Sequence, residues 1–123
     1  MTAIRQVWLI LAMSLVATSC MSPPTLELEA APQRGGIFEC LGARAEGQIV
    51  ADVDDPARVW LVMRPNQRLD LRWPFGFRVR FAPRAEVLSP SGIVVTREGD
   101  FVELGGGEVS GLFEVCEVNG VEL

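Results

Sequence analysis

Two stretches of strict alternation constrain this chain more than any other feature. Arg68-Leu69-Asp70-Leu71-Arg72-Trp73 and Phe77-Arg78-Val79-Arg80-Phe81 switch between polar and apolar at every step. A period of two belongs to a half-buried β-strand, because successive side chains of an extended backbone point to opposite faces. Each stretch therefore reads as a ribbon with one core-facing side and one arginine-bearing side. Val59-Trp60-Leu61-Val62-Met63 is continuously apolar and reads as a strand buried on both faces. Ile37–Leu41, Gly47–Val53, Ile93–Thr96, Phe101–Leu104 and Leu112–Val118 complete the candidate strands.

Turn-forming residues separate these runs: Asp54-Asp55-Pro56, Arg64-Pro65-Asn66, Ser89-Pro90-Ser91-Gly92, Glu98-Gly99-Asp100 and Gly105-Gly106-Gly107. One short helical turn near Pro83–Glu86 is the only helix the pattern allows. The expected fold is all-β: a small single-domain barrel, closed or partly open, of five to seven short strands. The segment GIVVTREGDFVELGGG, Gly92–Gly107, resembles the glycine-bounded hairpin of OB-like small barrels. The resemblance spans sixteen residues and implies a fold, not a function.

The N-terminal region has a different character. Arg5 precedes the uncharged run VWLILAMSLVA, Val7–Ala17, which has the length of a signal-peptide core and is too short to cross a hydrocarbon layer of ~30 Å. Ala17-Thr18-Ser19 then leads into Cys20. This resembles a bacterial lipoprotein signal, with Ala17 where leucine is usual. The resemblance implies cleavage before Cys20 and a diacylglyceryl group on its thiol. The alternative is an ordinary secretory signal cut nearby. Residues 1–19 are thus read as signal peptide, residues 20–36 as a Pro/Gly-rich tether and residues 37–123 as the barrel domain. Leu26 and Leu28 offer a short edge strand within the tether, but a spacer is the expected use.

Acylation of Cys20 leaves Cys40 and Cys116, an even pair, as an oxidising compartment favours. They are expected to form a structural disulfide joining the first and last strands. A redox role would call for a Cys-x-x-Cys spacing, which is absent.

Candidate chemistry is sparse. The sequence contains no histidine, tyrosine or lysine, so the usual general base, the commonest metal ligand and the amine nucleophile are missing. The serines after Cys20 (Ser22, Ser89, Ser91 and Ser110) therefore have no such base to activate them. Asp52, Asp54 and Asp55 cluster as calcium ligands do, but without the glycine and distal glutamate of an EF-hand loop. They read as a solvated turn. No metal, no cofactor and no catalytic residue is expected.

Charge is segregated along the chain. Seven arginines and one acid lie between Arg58 and Arg84, whereas eight acids and only Arg97 lie from Glu86 onward. If the two halves pair across a closed sheet, opposite charges simply meet. If instead Arg72, Arg78 and Arg80 share one face beside Trp73 and Phe75, they make a ligand surface for an envelope protein, a glycan or an anionic head group. Nucleic acid conflicts with an extracytoplasmic anchor.

These observations imply a module held at the cell membrane or outer membrane by lipid, facing the extracytoplasmic side. It is expected to bind a partner or assist envelope assembly without catalysis. A purely structural envelope lipoprotein is the first alternative and a carboxylate-dependent hydrolase the second. A binding module calls for exposed rings and arginines on one face. A structural protein calls for buried rings and arginines paired with Glu103, Glu114 or Glu117.

Overall fold

The computed structural model describes residues 24–31 and 40–123. The architecture is all-β, with a closed five-stranded barrel and a four-stranded sheet packed against it. The barrel strands are β2 (Ala43–Ala51), β3 (Val59–Met63), β4 (Gln67–Arg72), β8 (Phe101–Val109) and β9 (Leu112–Val118). They close in the order β2-β3-β4-β9-β8-β2, all antiparallel except β4–β9, where Leu71 faces Phe113 and Arg72 faces Glu114 in parallel. This is OB-like connectivity. The last strand, β10 (Val121–Glu122), folds back on β9.

Alternation decides what faces inward. Ala45 and Ile49 of β2, Val59 and Leu61 of β3, Leu71 of β4, Val102 and Leu104 of β8, and Phe113 and Val115 of β9 are buried. The run Val59–Met63 departs from expectation here. It is buried on one face only, with Trp60 and Val62 half-exposed on the barrel's outer wall.

The second sheet has the order β1-β5-β6-β7, from β1 (Thr25–Glu27), β5 (Arg78–Phe81), β6 (Ala85–Leu88) and β7 (Val94–Arg97). Leu28, Trp73, Phe77, Val79, Ala85 and Val87 join the barrel interior in one continuous core. The arginine-faced ribbon is as the alternation implies: Val79 is buried, whereas Arg78 is exposed and Arg80 half-buried.

The two-sheet arrangement corrects several sequence-based expectations. The barrel itself has five strands, within the expected five to seven, but the β4–β8 connection adds β5, β6 and β7, which with β1 make a second sheet, so the described residues hold ten strands in all. Gly92–Gly107 is not a hairpin. β7 pairs with β6 and β8 with β2, so the segment is the crossover between sheets, pinned where Gly99 N–H donates to Ile49 O and Ile49 N–H donates to Asp100 O. No helical turn forms at Pro83–Glu86; a bend leads straight into β6.

Gly105-Gly106-Gly107, expected as a turn, is the buried interior of β8, at the point where this strand moves from β2 to β9. The pairing shifts by a bulge between Gly105 and Gly106. A Cβ on Gly106 would run into the Glu114 carbonyl of β9, so only glycine permits this approach.

The tether reading also changes. Thr25–Glu27 pairs with β5, Leu28 is buried, and Ala30 bridges Trp73 in parallel. The Leu26/Leu28 alternation within the presumed spacer belongs to the folded body. The expected signal peptide and Cys20 lie outside the described residues, as does most of the expected strand Ile37–Leu41.

Cys40, just ahead of β2, is joined to Cys116 of β9, with Cα atoms 5.7 Å apart across 76 residues of sequence. The separation is ordinary for a disulfide. In the chain-entropy account a loop of this length contributes about 4–5 kcal/mol. Replacing both cysteines with alanine is expected to lower unfolding stability by about that amount, comparable to the net stability of a small domain. Urea denaturation of the two proteins measures it.

Candidate functional site

The five residues singled out as a ligand surface do not share a face. Trp73 continues the inward parity of Leu69 and Leu71 beyond the end of β4 and is 0% exposed. Its ring stacks on Phe77, with centroids 6.2 Å apart and planes at 18°. Its backbone N–H donates to Glu29 O at 2.9 Å, and its carbonyl accepts from Ala31 N–H at 2.8 Å. Trp73 is therefore a core residue joining the barrel, the second sheet and the β1 segment.

Arg72, one position earlier, points to the outer wall. It meets Glu114 at 3.4 Å and Glu29 at 3.9 Å. The Glu114 side chain is only 7% exposed and that of Arg72 20%. The parallel β4–β9 pairing places them opposite one another. This is a partly buried ion pair.

Arg80 is engaged as well. It pairs with Glu86 at 2.8 Å across the β5–β6 ladder, and Arg97 of β7 approaches the other Glu86 oxygen at 2.9 Å. Hydrogen bonds from Arg80 and then Arg97 hold the Glu86 carboxyl below the usual glutamate range.

Phe75 and Arg78 remain open. Phe75 sits in the β4–β5 turn and is 56% exposed. Gly76 follows it with a φ of +85°, a conformation that glycine adopts without strain, and that turn lies against Pro90. Arg78 is exposed, opposite Glu27 of β1, and has no ion pair among the described residues. Together with Glu27, Leu28, Ala30 and Phe77 they line a surface groove of about 170 Å³. Glu27, Leu28 and Ala30 were hidden by the spacer reading. The alternation of leucines at 26 and 28 was the signal for them.

A second cluster escaped the sequence because the apolar run around Trp60 masked its outward face. The Arg68 guanidinium lies over the Trp60 ring at 3.9 Å from its centroid, and also meets Asp55 at 3.1 Å and Asp70 at 2.6 Å. Trp60 and Asp70 are cross-strand partners. Arg68 holds the Asp55 carboxyl below the ordinary aspartate range, with a further contribution from the Ala57 N–H. The aspartates before Pro56 organise a turn: Asp52 accepts from Asp54 N–H at 2.9 Å and Asp55 from Ala57 N–H at 2.8 Å. Among the described residues no group of three or more potential ligands is placed to hold a metal ion.

The charge segregation resolves only in part into pairs across strands: of the seven arginines from Arg58 to Arg84, Arg72 and Arg80 meet acids of the C-terminal stretch, Arg68 meets Asp55 and Asp70, and the other four have no ion pair among the described residues. Besides Arg72–Glu114 and Arg80–Glu86, Arg44 of β2 meets Glu117 of β9 at 2.9 Å and Glu103 of β8 at 3.6 Å. Such exposed contacts contribute at most ~1 kcal/mol each. No protein-family model, curated protein or solved structure matches this chain.

Two outcomes follow. The Glu86 carboxyl is depressed in the folded state, so its contribution is fully present above the ordinary glutamate value and lost as pH falls through the folded value. Between about pH 6 and about pH 3 the wild type is expected to lose more stability than Glu86→Gln, as measured by urea midpoints. Glu114→Ala, which leaves the Arg72 charge without its nearest partner, is expected to cost up to ~3 kcal/mol. Replacing both residues, as Arg72→Met with Glu114→Leu, is expected to cost far less.

Proposed function

We propose that this chain is a lipid-anchored extracytoplasmic module that binds an envelope partner and carries out no catalysis. The observation that supports it most directly is the joining of Cys40 to Cys116. A disulfide belongs to an oxidising compartment, and this pairing leaves Cys20 as the odd thiol, at the end of the lipoprotein-like signal. Two acyl chains on Cys20 are sufficient for stable anchoring.

The binding surface in this reading is reduced to the groove beside Phe75 and Arg78. An exposed aromatic next to a guanidinium that has no ion pair among the described residues suits a partner with an apolar group beside an anion, on a protein, a glycan or a head group. Burial of Trp73 and the Arg72–Glu114 pair favours the second reading, a structural envelope lipoprotein with no small ligand.

Intact-mass analysis of the membrane fraction tests the anchor. The wild type is expected at the mass of residues 20–123 plus a lipid modification and minus the two protons of the disulfide. Cys20→Ser is expected to lose the lipid mass and leave the membrane. An unmodified wild-type chain recovered from the cytosol overturns the proposal.

A further inference from the structure

The docking of β1 changes where the body stands relative to its anchor. As a free spacer, residues 20–36 would reach up to ~55 Å when extended. With Thr25 paired to Arg80, only five residue steps separate Cys20 from the folded sheet, a reach of at most ~18 Å. The direction of β1 is equally informative. Thr25 pairs with Arg80 and Glu27 with Arg78, so the chain enters at the Phe81 end of β5 and runs toward the Phe75 turn. The β5–β6 turn, with exposed Pro83 and Arg84, lies at the entry end. Arg84 has no ion pair among the described residues, and its guanidinium lies beside Gly99, with Glu98 and Asp100 of the β7–β8 connection at the same end. The Phe75 groove lies at the opposite end of β1, lined by Glu27, Leu28 and Ala30.

Resting on the lipid-anchor reading of Cys20, we propose that β1 is a stay that orients the domain. It holds the β5–β6 turn against the bilayer and presents the Phe75–Arg78 groove away from it, toward the periphery. The strand converts a tether of free reach into one of fixed direction. The groove can then meet a partner in the envelope space but not the lipid in which the protein is anchored.

The test uses the full mature chain, acylated at Cys20, in vesicles of phosphatidylethanolamine and phosphatidylglycerol carrying a nitroxide on a fraction of the head groups. Arg84→Cys and Phe75→Cys each supply one free thiol for a fluorophore. Quenching at position 84 is expected to exceed that at position 75 at least about two-fold, since the two ends lie several strand residues apart. Inserting twenty Gly/Ser residues between Met21 and Ser22 is expected to remove the difference, by lengthening the reach to a flexible ~25 Å or more. Equal quenching at both positions in the acylated, folded protein, or stronger quenching at 75, overturns the orientation while leaving the anchor intact. A chain that carries no acyl group on mass analysis overturns the anchor and the orientation together.

Discussion

A five-stranded barrel closes only if every strand is paired along both edges, and in this molecule the strand that closes the circuit is β8. Phe101–Gly106 pair with β2 and Leu104–Val109 with β9, so Leu104, Gly105 and Gly106 are flanked on both edges. The glycines at 105–107 occupy the transition because β9 comes too close there for a side chain at Gly106. Closure places β9 between β8 and β4, with the parallel β4–β9 contact completing the circuit. That contact in turn sets Arg72 opposite Glu114 and carries the chain on to Trp73. The disulfide ties the segment ahead of β2 to this same β9.

Trp73 is the hinge between the two halves of the fold. A large ring, fully buried where β4 leaves the barrel, brings barrel and second sheet into one core and provides the backbone groups on which the Glu29–Ala31 segment docks. Burial of an aromatic of this size is worth several kcal/mol. Its role as an anchor for β1 explains why a segment that looks like spacer is ordered against the body. Of the arginines near it in sequence, Arg72 and Arg80 take ion pairs, whereas Arg78 has none among the described residues.

Reading the chain residue by residue recovers a large part of this. The alternation at Arg68–Trp73 and Phe77–Phe81 defined strands and, by parity alone, assigned Trp73 to the inward face with Leu69 and Leu71. Parity along the strand outranks proximity in sequence: Trp73 lies in the core although Arg72, Arg78 and Arg80 are close to it along the chain. Leu112–Val118 and Val59–Met63 were legible to their ends. Less legible were the glycines at 105–107. Three consecutive glycines mark a turn by local preference but serve equally where backbones crowd, and only the partner strand distinguishes the two. The candidate site suffered in the same way. Phe75 and Arg78 are legible from their own turn and strand, but their groove neighbours Glu27, Leu28 and Ala30 come from β1 and the residues just after it, distant in the chain.

By itself, the sequence determined what is local. Side-chain parity dictates strands, and with them an all-β body; the number and placing of the cysteines leave a pair that can close the domain. It also excluded the chemistry that histidine and lysine would supply. Tertiary structure alone decided which strand lies beside which, which acid meets which arginine, and that β1 is part of the body. Those are choices of register between segments far apart in the chain. A period of two specifies the face a residue takes but not its neighbour across the ladder, and that neighbour is chosen by closure of the whole barrel.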